Sequence, residues 1–304
     1  MFTIGNEKIA LVTDTSCDLL DEQLQAYDIR LISLRLNTSK GEFRDRVEIT
    51  PDEVVEMLRT EVPKTSLPLP EDVSALFQQL KEEGCTTVLH LSISSGLSGT
   101  YNMVTLLAQE FPEMKIHVVD TKTLSAGLGT LVMEAGECLK QGMPVEDVIH
   151  RLQGIRRHQL GTFVIRTLEF LRKGGRIGLV EGVLGTLLQL KPVIFVNDDG
   201  IYQTLSKARG FQNALSVMCT EIANRFKDQQ VRLAVVHASA LEEAQHLLER
   251  LKEQLTVVSS YITPVSPALT IHTGPGLLGA IVTPVGELEM TIPADGGIVH
   301  VTEG

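Results

Sequence analysis

Residues 94–101, Ser94-Ser95-Gly96-Leu97-Ser98-Gly99-Thr100-Tyr101, crowd hydroxyls and glycines between an apolar run ending at Ile93 and the helical pattern Asn102 to Leu107. Such a turn supports two readings. Either Ser98 caps the helix by taking up a free N–H, with Gly96 and Gly99 supplying backbone freedom, or the turn cradles a ligand. Catalysis needs more than hydroxyls: Gly96-Leu97-Ser98-Gly99 lacks the spacing of a nucleophile elbow, no Gly-Lys-Ser/Thr phosphate loop is present, and Gly127-Leu128-Gly129 is too short for a dinucleotide fingerprint. Neither an HExxH pattern nor a clustered His/Cys/Asp set points to a metal. Hydroxyls, glycines and a few cations remain, a set suited to holding an anionic group rather than transforming it. His272, followed by Thr273-Gly274-Pro275-Gly276, stands between an apolar strand and glycines, either as a half-buried imidazole bonded to a carbonyl or as a ligand contact. Arg176, after Gly174-Gly175, and Arg209, in Ser206-Lys207-Ala208-Arg209-Gly210, are either solvated charges or anion partners. Spacing along the chain does not bring these residues together.

The elements that must position them repeat one rhythm in the first half: an apolar, β-branched run, a polar turn, then a helical pattern. Ile9 to Val12 leads into Thr13-Asp14-Thr15-Ser16, Thr86 to Leu91 into the turn above, and Ile116 to Val119 into Asp120 to Gly127. That alternation predicts βαβ units and a parallel sheet, with the polar turns sharing one rim at the carboxyl ends of the strands. Lys64-Thr65-Ser66-Leu67-Pro68-Leu69-Pro70 is an extended loop before a helix over 71–82; Thr65 or Ser66 either points into the same crevice or the prolines merely separate two elements. The second half reads as a mixed or antiparallel sheet covered by helices. Phe163 to Ile165 is a short strand, a turn or two of helix ends at Gly174-Gly175, a helical pattern covers Val180 to Leu190, and two strand-like runs flank Asn197-Asp198-Asp199-Gly200 as a hairpin. Two domains follow, 1–155 and 156–304, joined through the helical stretch Pro144 to Arg157. The segment from Pro284 to Gly304 is a further hairpin or a tail.

Bulk properties narrow the partners. A chain of 304 residues with 43% hydrophobic content can bury two ordinary cores. Its net charge of −11 and its lack of a basic stripe argue against nucleic acid. The start, Met1 to Lys8, has no signal-peptide pattern, and no apolar run reaches bilayer length. The four cysteines, Cys17, Cys85, Cys138 and Cys219, are scattered, as expected of a reduced, cytoplasmic protein.

Taken in order, the motifs resemble the DegV family of bacterial fatty-acid-binding proteins. They are Val12-Thr13-Asp14-Thr15-Ser16, Thr65-Ser66-Leu67-Pro68, Ser94 to Tyr101, Asp120 with Ser125-Ala126-Gly127-Leu128-Gly129, Thr167-Leu168-Glu169 with Gly174-Gly175-Arg176-Ile177, Lys191-Pro192, Lys207-Ala208-Arg209-Gly210 and His272-Thr273-Gly274-Pro275-Gly276. The resemblance implies a two-domain α/β protein that acts as the lipid-binding subunit of a fatty acid kinase and feeds phospholipid synthesis. It implies one long-chain fatty acid, its carboxylate held at the domain interface by Thr65, Ser98, Arg176 and His272, with Ser66, Gly99 and Gly274 beside them. It implies an acyl tail inside the second domain, for which Phe163, Ile165, Leu168, Leu171, Val183, Leu187, Leu188, Ile194 and Val235 are candidate lining. A separate catalytic subunit would phosphorylate the carboxylate, with Arg209 at its docking surface or at the phosphate; no cofactor or metal is expected. The alternatives are a stand-alone acyl or phosphoryl transferase using Ser98 or His272, with Asp14 brought near, or a carrier of a different amphiphilic carboxylate. Where the family usually has Gln after Thr-Ser this chain has Leu67, and Leu69 follows the proline in place of a small residue, so the rim is more apolar.

Overall fold

The computed structural model describes residues 1–180, 190–286 and 298–300 of the chain. β1 (Phe2–Ile4) folds back antiparallel on β2 (Glu7–Asp14). A 3-10 turn over Thr15–Cys17 and α1 (Asp21–Ala26) then lead to β3 (Arg30–Ile32), parallel to β2. β4 (Arg35–Thr38), β5 (Gly41–Arg44) and, after α2 (Pro51–Met57), β6 (Lys64–Ser66) form a small antiparallel sheet of their own. α3 (Pro70–Glu82), β7 (Thr87–Ser92), α4 (Thr100–Ala108), β8 (Lys115–Asp120), α5 (Ala126–Lys140) and α6 (Val145–His158) follow. β2, β7 and β8 lie side by side and parallel, as the strand–turn–helix rhythm predicts. Both faces of this sheet are covered. Leu11 and Leu89 pack in the core beneath α5 and α6, while their neighbours Val12 and Val88 pack beneath α3 and α4, the alternation a two-residue pleat imposes.

α6 spans the expected 155/156 boundary and runs into β9 (Leu160–Val164). α7 (Glu169–Lys173), β10 (Leu190–Val196), β11 (Tyr202–Arg209), α8 (Phe211–Arg225), β12 (Gln230–His237), α9 (Leu241–Lys252), β13 (Thr256–Pro264), α10 (Pro267–Thr273) and β14 (Leu278–Pro284) complete the second half. Its strands form a six-stranded sheet in the order β11-β10-β9-β14-β12-β13, antiparallel except for the β12/β13 pair. The mixed sheet and the hairpin at Asn197 to Gly200 agree with the sequence reading. One face carries α8 and α9 over Met218, Leu233 and Leu247; the other presents Phe163, Ile194, Val236 and Ile281 in a separate cluster with Leu124 of the first half. β15 (Ile298–His300) pairs antiparallel with β8, in the first sheet. The helical pattern over Val180 to Leu190 and the hairpin or tail over Pro284 to Gly304 fall largely on 181–189, 287–297 and 301–304, outside the described residues.

One local expectation is corrected. His272 follows no strand; it sits in the last turn of α10, a helix opened by Ser266 at the N-cap, whose hydroxyl accepts from Leu269 N at 3.3 Å, and by Pro267 at its first position. Ser266-Pro267 is a helix start signal, and the apolar run Ala268 to Ile271 hides its period because the whole helix is buried.

Candidate functional site

The hydroxyls of the 94–101 turn divide between two tasks. Ser94 donates to Gly200 O at 2.8 Å, locking the β10–β11 turn onto the first domain, and the space a Gly96 side chain would fill is taken by Ile201. The Ser95 N–H bonds Asp120 Oδ1 at 3.1 Å, and its hydroxyl accepts from Lys122 Nζ at 3.0 Å. Ser94 and Gly96 thus meet the second domain, while Ser95 braces the turn within the first. Ser98 instead lines a cleft. α4 begins one residue later than a Ser98 cap requires, with Gly99 in the cap position, yet Ser98 Oγ still accepts from Thr100 N at 3.3 Å and lies 2.9 Å from Thr100 Oγ1.

The cleft, about 230 Å³, is lined by Thr65, Ser66, Ser98, Arg176, Tyr202 and His272 together with an apolar wall of Leu34, Leu67, Ile93, Leu97, Leu124, Ala268 and Leu269. Residues more than 200 positions apart meet there: Thr65 Oγ1, on β6, is 2.8 Å from His272 Nε2, on α10. Arg176, just past α7, donates from Nη1 to Gly174 O at 2.7 Å and from Nε to Leu97 O at 3.3 Å. Both of these acceptors are carbonyls, and no carboxylate is found among the described residues that line the cleft, so within them its charge meets no counter-ion. Burial, reinforced by the Arg176 guanidinium, pushes the His272 pKa down to about 4, so the imidazole is neutral near pH 7. His272 Nδ1 is buried without a partner among the described residues, and the ring lies against Gly174, where a Cβ would come within 2.1 Å of it.

Behind the cleft a second, smaller cavity of about 40 Å³ lies between the domains, lined by Phe163, Val196, Val236, Val265, Leu277 and Ile281, with Thr162 and Thr273 among them. Leu124, Tyr202 and Leu269 line both spaces and form the wall between them. Of the candidate tail contacts, Phe163 lines this cavity; Ile165, Leu171 and Ile194 pack in the surrounding cluster, with Leu168 against it. Val235 faces the opposite core, under α8 and α9, because its neighbour Val236 takes the cavity side of β12. Val183, Leu187 and Leu188 lie outside the described residues. Val196, Val265, Leu277 and Ile281 were not singled out in the sequence; on consecutive apolar runs, only pairing register separates them from ordinary core.

The remaining candidates sit around the cleft rather than in it. Gly99 approaches Leu67 at the rim. Gly274 ends α10 with φ 72° and stacks on Phe170, whose ring occupies the place of a Cβ. Ser66 lines the rim and accepts from Asn37 Nδ2 at 3.0 Å. Arg209 is exposed at the end of β11, seven residues beyond Tyr202, which the rise of a strand converts to roughly 20 Å. Asp14 lies fully buried and accepts from Ile93 N at 2.8 Å and Ser16 N at 3.1 Å, with no contact to Ser98 or His272. Among the described residues no group of three His, Cys, Asp or Glu is placed to hold a metal ion, and no helix is long and apolar enough to cross a membrane.

Comparison with known proteins gives a consistent picture. A family model for the DegV family matches residues 8–285. A DegV domain-containing protein of Clostridium perfringens is 36% identical over 273 residues, 90% of this chain and 97% of its own. Among solved structures, a DegV family protein from Thermus thermophilus described as binding fatty acid superposes with a TM-score of 0.86 at 34% identity, covering 91% of this chain and 100% of its own. A stearic acid-binding protein from Eubacterium ventriosum gives 0.84 at 25% identity, covering 91% and 98%.

Proposed function

Because the chain belongs to the DegV family, and a DegV family protein from Thermus thermophilus and the similar stearic acid-binding protein from Eubacterium ventriosum bind fatty acids, we propose that it binds one long-chain fatty acid in the interdomain cleft and presents it to a fatty acid kinase subunit. The observation that carries this reading is the meeting of Thr65, Ser98, Arg176 and His272 at the mouth of an apolar cleft whose described lining residues include a guanidinium and no carboxylate. A carboxylate leaving water is costly unless its oxygens are hydrogen-bonded and its charge is met. Two hydroxyls, a guanidinium and an imidazole supply both, and charge-assisted bonds are the strong ones. The first turn of α4 begins beside Ser98 and adds the positive end of a helix. Ser66 and Gly99 shape the rim, and Gly274 fixes the end of α10.

In this reading the acyl tail runs from the cleft toward the inner cavity past Leu124, Tyr202 and Leu269, the residues that line both spaces, and these side chains must move apart for a long chain to enter. Each methylene taken out of water contributes about 0.8 kcal/mol, so affinity rises with chain length until the cavity is filled. This reading makes the chain a binding and presenting subunit of the cytoplasm, with no cofactor of its own and a role in supplying acyl phosphate for phospholipid synthesis. Arg209, exposed and far along β11 from Tyr202, belongs to the face that meets the kinase rather than to the reacting carboxylate. A transferase in its own right is less well supported, because among the described residues neither Ser98 nor His272 contacts a carboxylate that would activate it. The test is a reconstitution: a fatty acid kinase catalytic subunit, ATP and oleic acid should form hydroxylamine-trappable acyl phosphate only when this chain is added. Acyl phosphate formed by this chain with ATP and oleic acid in the absence of the kinase subunit would instead establish the transferase.

A further inference from the structure

Asp18 touches neither the cleft nor the inner cavity, yet it ties together elements that line both. It is 2% exposed and sits in the left-handed region at φ 51°, at the end of the 3-10 turn. Its Oδ1 accepts from Ser266 N, the N-cap of α10, at 2.8 Å. Its Oδ2 accepts from the Ser125 hydroxyl, and its main-chain carbonyl accepts from Thr263 Oγ1 at 2.7 Å. Ser125 and its neighbour Leu124 line the inner cavity, and Leu124 also lines the cleft. Asp45, fully buried, holds the same helix two residues further on: its Oδ1 accepts from Ala268 N at 2.9 Å. α10 then delivers Leu269, His272 and Thr273 to the two spaces.

We infer that Asp18 and Asp45 are positioning residues for the binding site: the side-chain oxygens of two buried aspartates of the first domain seat the N-terminus of α10, and the register so fixed brings His272 to Thr65. A seven-residue helix has free N–H groups over most of its length, and acceptors at its start fix both its axial position and its rotation. A buried network with several mutually bonded members specifies one arrangement more sharply than apolar packing does. Loss of the Asp18 acceptor frees the helix to slide or turn, and a displacement of about an ångström at His272 is enough to break a 2.8 Å contact. The amide of asparagine keeps the Oδ1 acceptor and supplies a donor toward Ser125, so it preserves the seat without a titratable group.

This inference rests on the fatty-acid-binding reading for its affinity arm only. The experiment compares wild type, Asp18→Ala, Asp18→Asn, Asp45→Ala and Asp45→Asn by thermal melting, by titration with the fluorescent fatty acid cis-parinaric acid, and by NMR titration of the His272 ring, assigned with His272→Gln. The expected result is that folded alanine variants bind at least tenfold more weakly and that their His272 signal titrates nearer the ordinary histidine range, while the asparagine variants retain both wild-type behaviours. Folded alanine variants with wild-type affinity and an unchanged His272 titration overturn it. Should the alanine variants not fold, the asparagine pair decides: folded Asp18→Asn or Asp45→Asn with weakened binding and a shifted His272 signal contradicts positioning through hydrogen bonds. Wild type that fails to bind the probe defeats the fatty-acid reading instead, and the His272 titrations still judge the seat of α10.

Discussion

At the scale of single residues, the four proposed carboxylate partners differ in what their loss should do. Arg176 supplies the cleft's only positive charge among the described lining residues, and hydrogen bonds to charged groups are worth about 1.5–3 kcal/mol. Arg176→Ala should therefore weaken fatty acid binding by roughly 10- to 100-fold with little change in melting temperature, measured by fluorescence titration. Thr65→Val keeps the shape and removes one neutral donor, so the same titration should show a loss nearer tenfold or less. Asp18 permits a second kind of test. Burial raises its pKa from 3.8 to about 7, so in the fold it holds a proton that the unfolded chain releases above pH 4. Its contribution is full below about pH 4 and is lost as pH rises toward 7. Wild type should thus lose stability relative to Asp18→Asn across that window, by up to a few kcal/mol, in melts at stepped pH; His272, whose lowered pKa works in the opposite direction, is common to both proteins and cancels. A parallel pair of melting curves would contradict the buried, protonated Asp18. The sequence exposed Thr65, Ser98, Arg176 and His272 through motif order, but not the Thr65 to His272 contact, since no local pattern encodes a meeting across 207 positions.

Among the elements, those with strong periodicity or clear punctuation were legible: β2, β7, β8 and the β10–β11 hairpin all follow from the apolar runs and turn residues. α10 was not, because complete burial erases the polar face that gives a helix its period. Register was also out of reach. Val235 and Val236 are equally apolar, and only the pairing of β12 with β14 decides which one faces the cavity. The hairpin turn carries a prediction of its own. Gly200 has φ 77°, and a Cβ there would lie 2.0 Å from Ser94 Oγ. Gly200→Ala should cost about 1–2 kcal/mol for the left-handed backbone and about 1–3 kcal/mol for overpacking, seen as a melting temperature several degrees lower. An unchanged melt would mean that the turn does not dock on Ser94.

Over the whole molecule, the site exists only because two domains are held face to face. Besides the Ser94 to Gly200 bond, Arg156 Nη2 reaches Lys122 O at 2.7 Å and Asn197 O at 2.8 Å, and buried Glu134 accepts from Arg151 and Arg232, each at 2.6 Å. The two arginines hold the Glu134 carboxyl below its usual pKa against the opposing cost of burial, so its contribution is present at neutral pH and fades in acid. Because both arginines stay partly exposed, solvent screening limits the effect to about 1 kcal/mol. Glu134→Gln should melt lower than wild type at pH 7, and the gap should shrink as pH falls toward 4. The alternating α/β architecture, the mixed second sheet and the rim of polar turns were readable from the alternation of apolar runs; the interdomain clamps were not, since Glu134 and Arg232 look like ordinary surface charges in sequence. The most direct test of the central claim is native mass spectrometry of the purified protein, paired with solvent extraction of a denatured sample. The account predicts a one-to-one mass excess that leaves the protein as a long-chain fatty acid and is reduced in Arg176→Ala. A protein that flies as the bare chain, and remains so after incubation with stearic and oleic acids, would contradict it.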